Sequence, residues 1–93
     1  MIKSFACEET AAIWRAEGSR RLPAQIQQRA LNKLALLNRA NRIDDLRVPP
    51  GNRLEALKGD RAGQHSIRIN DQWRICFRWS GNDARDVEIS DYH

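Results

Sequence analysis

Ninety-three residues, 41% of them apolar, make one domain, residues 1–93, with a single thin core. No stretch approaches the ~20 apolar residues of a membrane span, and no membrane partner is expected. The net charge is +4 and the isoelectric point near 9.7, which fits either a nucleic acid or an acidic protein as partner.

Ile2 to Phe5 alternates weakly and reads as a short first strand. The opening residues are too few for a secretion signal, so the cytoplasm is the expected location. Glu8 and Glu9 open a helix, since acids favour the positive end of its dipole. Ile13 and Trp14 give that helix its apolar side, and Gly18 is a natural stop.

A second helix starts at Pro23, whose missing N–H is harmless in a first turn. Ile26, Ala30, Leu34 and Leu37 recur at spacings of three and four, with Leu31 beside them. This stripe is core. Asn38 to Asn41 ends the helix. Ile43 to Asn52 is a connector, made rigid by Pro49-Pro50-Gly51-Asn52. Leu54 to Lys58 reads as a strand and Gly59 to Gly63 as a polar loop.

His65–Asn70 and Trp73–Trp79 form a β-hairpin about the turn Asn70-Asp71-Gln72. Trp73, Ile75, Phe77 and Trp79 point one way, and Arg74, Cys76 and Arg78 the other. A turn at Ser80–Asp83 leads to a last strand with Val87 and Ile89 on one side. The order is β-α-α-β-β-β-β. The expected class is α+β, with two helices on one face of a mainly antiparallel sheet. The face carrying Arg74 and Arg78 is then free to bind something, unless Arg74 pairs with Glu88 or Asp86 across strands.

Cys7 and Cys76 match no zinc spacing and two histidines cannot complete one, so reduced thiols and no metal or other cofactor are expected. Thirteen of the sixteen basic residues are arginines, which fork onto phosphate oxygens. Asp91-Tyr92-His93 sets a carboxylate, a phenol and an imidazole side by side.

The segments Asn52–Arg61, Ser66–Ile75 and Asp91-Tyr92-His93, with the opening Met1-Ile2-Lys3-Ser4-Phe5, closely resemble the HigB toxins of the RelE/ParE superfamily. The resemblance covers essentially the whole chain. It implies a RelE-like, microbial-ribonuclease-like fold and a type II toxin–antitoxin toxin. It further implies a metal-independent endoribonuclease that cuts messenger RNA in the ribosomal A site and inhibits translation. The implied partner is a HigA-like helix-turn-helix antitoxin, with operator DNA reached only through it. By position, Lys58, Arg74, Asp91, Tyr92 and His93 match the family's active-site residues. Some relatives carry histidine where this chain has Glu55.

RNA cleavage by this route needs four things: removal of the 2′-hydroxyl proton, in-line geometry, stabilised phosphoryl charge and a proton for the leaving 5′-oxygen. Lys58 and Arg74 suit the phosphate charge, and His93 is the natural general acid because imidazole titrates nearest neutrality. Asp91 orients His93 or acts as a weak base, and Tyr92 stacks on a base or offers its hydroxyl. The products are a 2′,3′-cyclic phosphate and a 5′-hydroxyl. Arg61, Arg68 and Arg78 are candidate RNA or ribosome contacts. Strict alternation puts Tyr92 on one side of the last strand and Asp91 and His93 on the other. Two other functions fit the same residues: a non-enzymatic toxin bound to a protein target such as gyrase, as in the ParE branch, and a plain basic RNA-binding module.

Overall fold

A computed structural model describes residues 1–91. Two helices, α1 (Glu8–Trp14) and α2 (Ala24–Arg39), precede four strands: β1 (Glu55–Ala56), β2 (His65–Arg68), β3 (Trp73–Ser80) and β4 (Asp83–Asp91). The strands lie in the order β1-β2-β3-β4, all antiparallel. The α+β reading holds.

The expected first strand is reduced to two isolated parallel bridges, Ile2 to Ala84 and Phe5 to Val87. These lay the opening segment along the outer edge of β4. Lys3 N–H donates to the Ala84 carbonyl at 2.8 Å and Ala6 N–H to that of Val87 at 2.9 Å, so the edge is covered rather than left unpaired.

α1 stops two residues earlier than Gly18 suggests. Ala16 takes the left-handed conformation (φ 61°), its N–H donates to Ile13 and that of Glu17 to Ala12. That is a Schellman stop built on alanine. Gly18 (φ 76°) completes the reversal beyond it. Pro23 stands just outside α2, at its N-cap, rather than in its first turn. The Gln27 side chain ties the entry down by donating to the carbonyls of Ser19 (2.7 Å) and Leu22 (2.9 Å).

The α2 stripe is core: Ile26, Ala30, Leu34 and Leu37 are buried together with Ile67, Ile69, Ile75, Phe77, Val87 and Ile89. Each large aliphatic side chain of that set contributes about 1.5–3 kcal/mol by leaving water. Trp73 and Trp79 pack against the same cluster, as the alternation in β3 requires. In β4 the alternation slips. Arg78 faces Arg85 but Cys76 faces Glu88, so one residue too many stands opposite Phe77. Asp86 absorbs it in the left-handed region (φ 52°), its N–H donating to Ser4 Oγ at 2.9 Å. The bulge lets Ala84, Val87 and Ile89 all reach the core while Arg85 and Asp86 stay exposed.

Candidate active site

The connector between α2 and the sheet builds one wall of the site. It comprises two 3₁₀ turns, Ile43–Arg47 and Pro50–Asn52. Asp45 caps the first, accepting from the N–H groups of Asn41 (3.0 Å) and Arg42 (3.1 Å). Those two bonds hold its carboxyl below the usual carboxylate range. Asn52 is fully buried and acts as a pin. Its amide donates to the carbonyls of Leu46 (3.1 Å) and Val48 (3.3 Å), and its Oδ1 accepts from Lys33 Nζ of α2. Burial, with Arg29 nearby, pushes the Lys33 ammonium below its ordinary value.

Arg53 follows directly, in the left-handed region (φ 46°, ψ 56°). A non-glycine residue there costs on the order of 1 kcal/mol. The strain turns the Arg53 carbonyl onto Arg74, whose Nη2 donates to it at 2.6 Å. Arg74 also donates from Nε to Ser66 Oγ at 2.7 Å, and its Nη2 lies 3.3 Å from Glu55 Oε1. The guanidinium is nearly buried (side chain 8% exposed), whereas Glu55 remains half exposed (47%). A buried charge needs such a set of partners.

These contacts differ from the cross-strand pairing weighed on the sequence. Arg74 pairs with Glu55 instead, because Glu88 is taken by Arg61 and Asp86 by Arg78. The sheet face away from the helices is therefore less free than alternation implied. Arg61 reaches over it from the 3₁₀ turn Gly59–Arg61, donating to Glu88 Oε1 (3.0 Å) and Ser90 Oγ (3.2 Å). The Glu88 bond raises the Arg61 guanidinium further above its already high value. Cys76 lies fully buried on this face, and burial pushes its thiol up, so it is a poor nucleophile.

One end of this face opens into a polar cleft of about 250 Å³ lined by Arg53, Arg68, Asn70, Asp71 and Arg74. Three arginines around one hollow can hold an anion. Arg68 is turned toward Asp71 as an exposed ion pair, and Arg74 is pre-set by its buried partners.

The residues singled out from the sequence thus divide. Arg74 and Arg68 share the cleft. Lys58 is exposed at the start of the Gly59–Arg61 turn, three residues beyond Glu55. Asp91 faces Trp73 across the β3–β4 pair, on the helix-bearing side with Ile89, and accepts from Gln72 Nε2 at 3.0 Å. Arg78 sits toward the far end of β3 with Asp86. Tyr92 and His93 lie outside the described residues. Arg53, Ser66 and Asn52 build the surroundings of Arg74, and although they stand in the family-like segments, no role was assigned to them from the sequence. Nothing in a Pro-Pro-Gly-Asn-Arg run announces that the arginine carbonyl will be the ligand. Glu55 had one cue, its place in the family pattern.

The model of the family described as the RelE-like toxin of type II toxin–antitoxin system HigB matches residues 3–93. The chain belongs to the HigB-like toxins. As a HigB-like toxin it is the toxin of a type II toxin–antitoxin system and has an antitoxin as partner. Among its relatives is "Endoribonuclease HigB" of Proteus vulgaris, 33% identical over 93 residues that span all of both proteins. "Toxin HigB-1" of Vibrio cholerae is 45% identical over 60 residues, 64% of this chain and 63% of that protein.

Solved structures show the same fold for this HigB-like toxin. The YoeB-YefM complex from Staphylococcus aureus superposes with a TM-score of 0.61 at 15% identity, covering all of this chain and 98% of that one. The YoeB/ParE toxin from Agrobacterium tumefaciens gives 0.53 at 22% identity, over 99% of this chain and all of the other.

Proposed function

We propose that this HigB-like toxin is an endoribonuclease that cuts messenger RNA on the ribosome and so stops translation. The observation that carries the reading is the arginine cleft. Arg74 is held by Ser66, Arg53 and Glu55 before any substrate arrives, so its charge meets a phosphodiester without reorganising. A full-length relative named as an endoribonuclease supports the same reading.

In this mechanism Arg74 and Lys58 oppose the charge that builds on the phosphoryl oxygens, Arg74 as a fork and Lys58 as a point charge. The 2′-oxygen attacks phosphorus and the bond to the 5′-oxygen breaks. His93 gives that oxygen its proton. The products are a 2′,3′-cyclic phosphate and a 5′-hydroxyl, and no metal or other cofactor takes part. Asp91 orients His93, and Tyr92 stacks on a base. Arg68 guides the strand into the cleft, and Arg61 and Arg78 contact ribosomal or messenger RNA. The ribosome is required because the chain brings few acid–base groups of its own and relies on a host to set the in-line geometry. The antitoxin is a HigA-like helix-turn-helix protein, and the setting is the cytoplasm.

The test is to translate a reporter message in vitro with and without the protein and map its 5′ ends. New ends bearing a 5′-hydroxyl are expected, and only in translating reactions. An intact message with arrested growth in cells would overturn the reading and favour a protein target.

A further inference from the structure

Three arginines line the polar cleft, and their surroundings set them apart. The Arg74 guanidinium is directed inward, onto Ser66 Oγ, the Arg53 carbonyl and Glu55. Arg68 is matched by Asp71, which lines the same hollow. Arg53 is the third. Its backbone carbonyl serves Arg74, and its side chain takes no part in that contact. Among the described residues no carboxylate pairs with the Arg53 guanidinium, and the residue is exposed at the cleft wall.

The backbone contact does not explain the residue type. Position 53 takes the left-handed conformation (φ 46°, ψ 56°), where glycine would place the same carbonyl without a Cβ penalty. Arginine keeps the strain and adds a long cation at the hollow. Asn52, directly before it, is fully buried and tied to Leu46, Val48 and Lys33, so the root of that cation is fixed.

An RNA strand presents phosphates in series. A strand with one phosphate at Arg74 brings the next along the cleft. Arg68 must leave Asp71 before it can take that phosphate, whereas Arg53 has no ion pair among the described residues to break. Resting on the endoribonuclease reading above for its substrate, we infer that the Arg53 side chain holds a second phosphodiester of single-stranded RNA, the one adjoining the phosphate at Arg74. Contacts to two successive phosphates fix the direction of the strand across the cleft and hold the ribose between them. Such contacts set register and carry no sequence information.

Two substitutions separate the side chain from the backbone. Arg53→Gly removes the guanidinium and eases the left-handed conformation that sends the carbonyl to Arg74. Arg53→Lys keeps a positive charge at the same place. The probe is a short single-stranded RNA, 2′-O-methylated throughout so that it is bound and not cut. The full chain and each variant are titrated against it by fluorescence anisotropy over a series of KCl concentrations. Urea midpoints check folding.

Each phosphate neutralised on a single strand adds about 0.7 to the slope of log affinity against log salt. Arg53→Gly is therefore expected to flatten that slope by about 0.7 and to weaken binding at the lowest salt by about tenfold, as loss of one charge-assisted hydrogen bond does. The loss should be equal for RNAs of different sequence. Arg53→Lys is expected to keep the parent's slope. A folded Arg53→Gly protein with an unaltered slope would overturn the inference, and so would a parent that binds no RNA at the lowest salt. An Arg53→Lys slope as flat as that of Arg53→Gly contradicts it equally. A parent that shows the Arg53-dependent slope yet leaves translated message intact strikes the endoribonuclease reading instead.

Discussion

Replacing Asn52 with alanine tests whether the connector is a pinned wall of the site or merely a covalent link. The side chain is fully buried and makes three hydrogen bonds. Its two amide bonds go to carbonyls of Leu46 and Val48, and their loss costs about 1 kcal/mol each. Lys33 is only half-buried and can turn to water, so losing that acceptor adds about 0.5–1 kcal/mol. The sum is roughly 3 kcal/mol, a large share of the ~5–15 kcal/mol that holds a domain together.

With a urea slope of about 1.5 kcal/mol/M for a chain of this size, the midpoint should fall by about 2 M. Lys33→Met leaves both amide bonds in place and should shift it by well under half as much. The effect reaches the site because Arg53 follows Asn52 and its carbonyl holds Arg74. Asn52→Ala should therefore cut RNA more slowly than its folded fraction explains. A midpoint shift below about 0.5 M, or cleavage that tracks the folded fraction alone, would refute the pinning argument.

Other substitutions probe separate parts of the account. Asp45→Asn should lower stability at neutral pH. The Asp45 carboxyl is held below its ordinary value of 3.8, so what it contributes is present above that value and disappears as pH falls through the folded one. The parent and variant urea midpoints should differ at pH 7 and converge as the pH is taken well below 3.8. Arg61→Met removes a partly exposed ion pair with Glu88, and the urea midpoint should report a loss of only about 0.5–1 kcal/mol. A chain cut after Asp91 should keep its circular dichroism spectrum and lose messenger cleavage, since the proposed acid is His93. Intact cleavage by that truncation would remove the proposed proton donor.

The helix stripe and the hairpin were legible because periodicity at 3.6 and at 2 reports burial directly. Ile26, Ala30, Leu34 and Leu37 on one side, and Ile75 and Phe77 on the other, meet as their spacing implies. What the sequence hid is what depends on backbone conformation at single residues. The bulge at Asp86 re-aims β4, the left-handed Arg53 turns a carbonyl inward, and Ala16 rather than Gly18 stops α1. None of these follows from residue type, since glycine is the usual occupant of such conformations.

Site residues were legible by type and not by pairing. Arg74 was marked by its place in the pattern. Its partners were not: Glu55 is 19 positions away in sequence and becomes a neighbour only because β1 and β3 flank β2. Arg61 and Glu88, 27 positions apart, are joined by a 3₁₀ turn that reaches across the sheet.

Arg74→Lys asks most directly whether this cleft holds the scissile phosphate. Lysine keeps the positive charge but cannot serve Ser66 and Arg53 while still presenting a fork to a phosphate. The measurement is the rate of 5′-hydroxyl end formation on translated message, parent against variant, at matched folded fraction. A fall of at least about 100-fold is expected, in the range seen when a preorganised donor to transition-state charge is removed. A folded Arg74→Lys protein that cuts within about threefold of the parent would contradict the central claim.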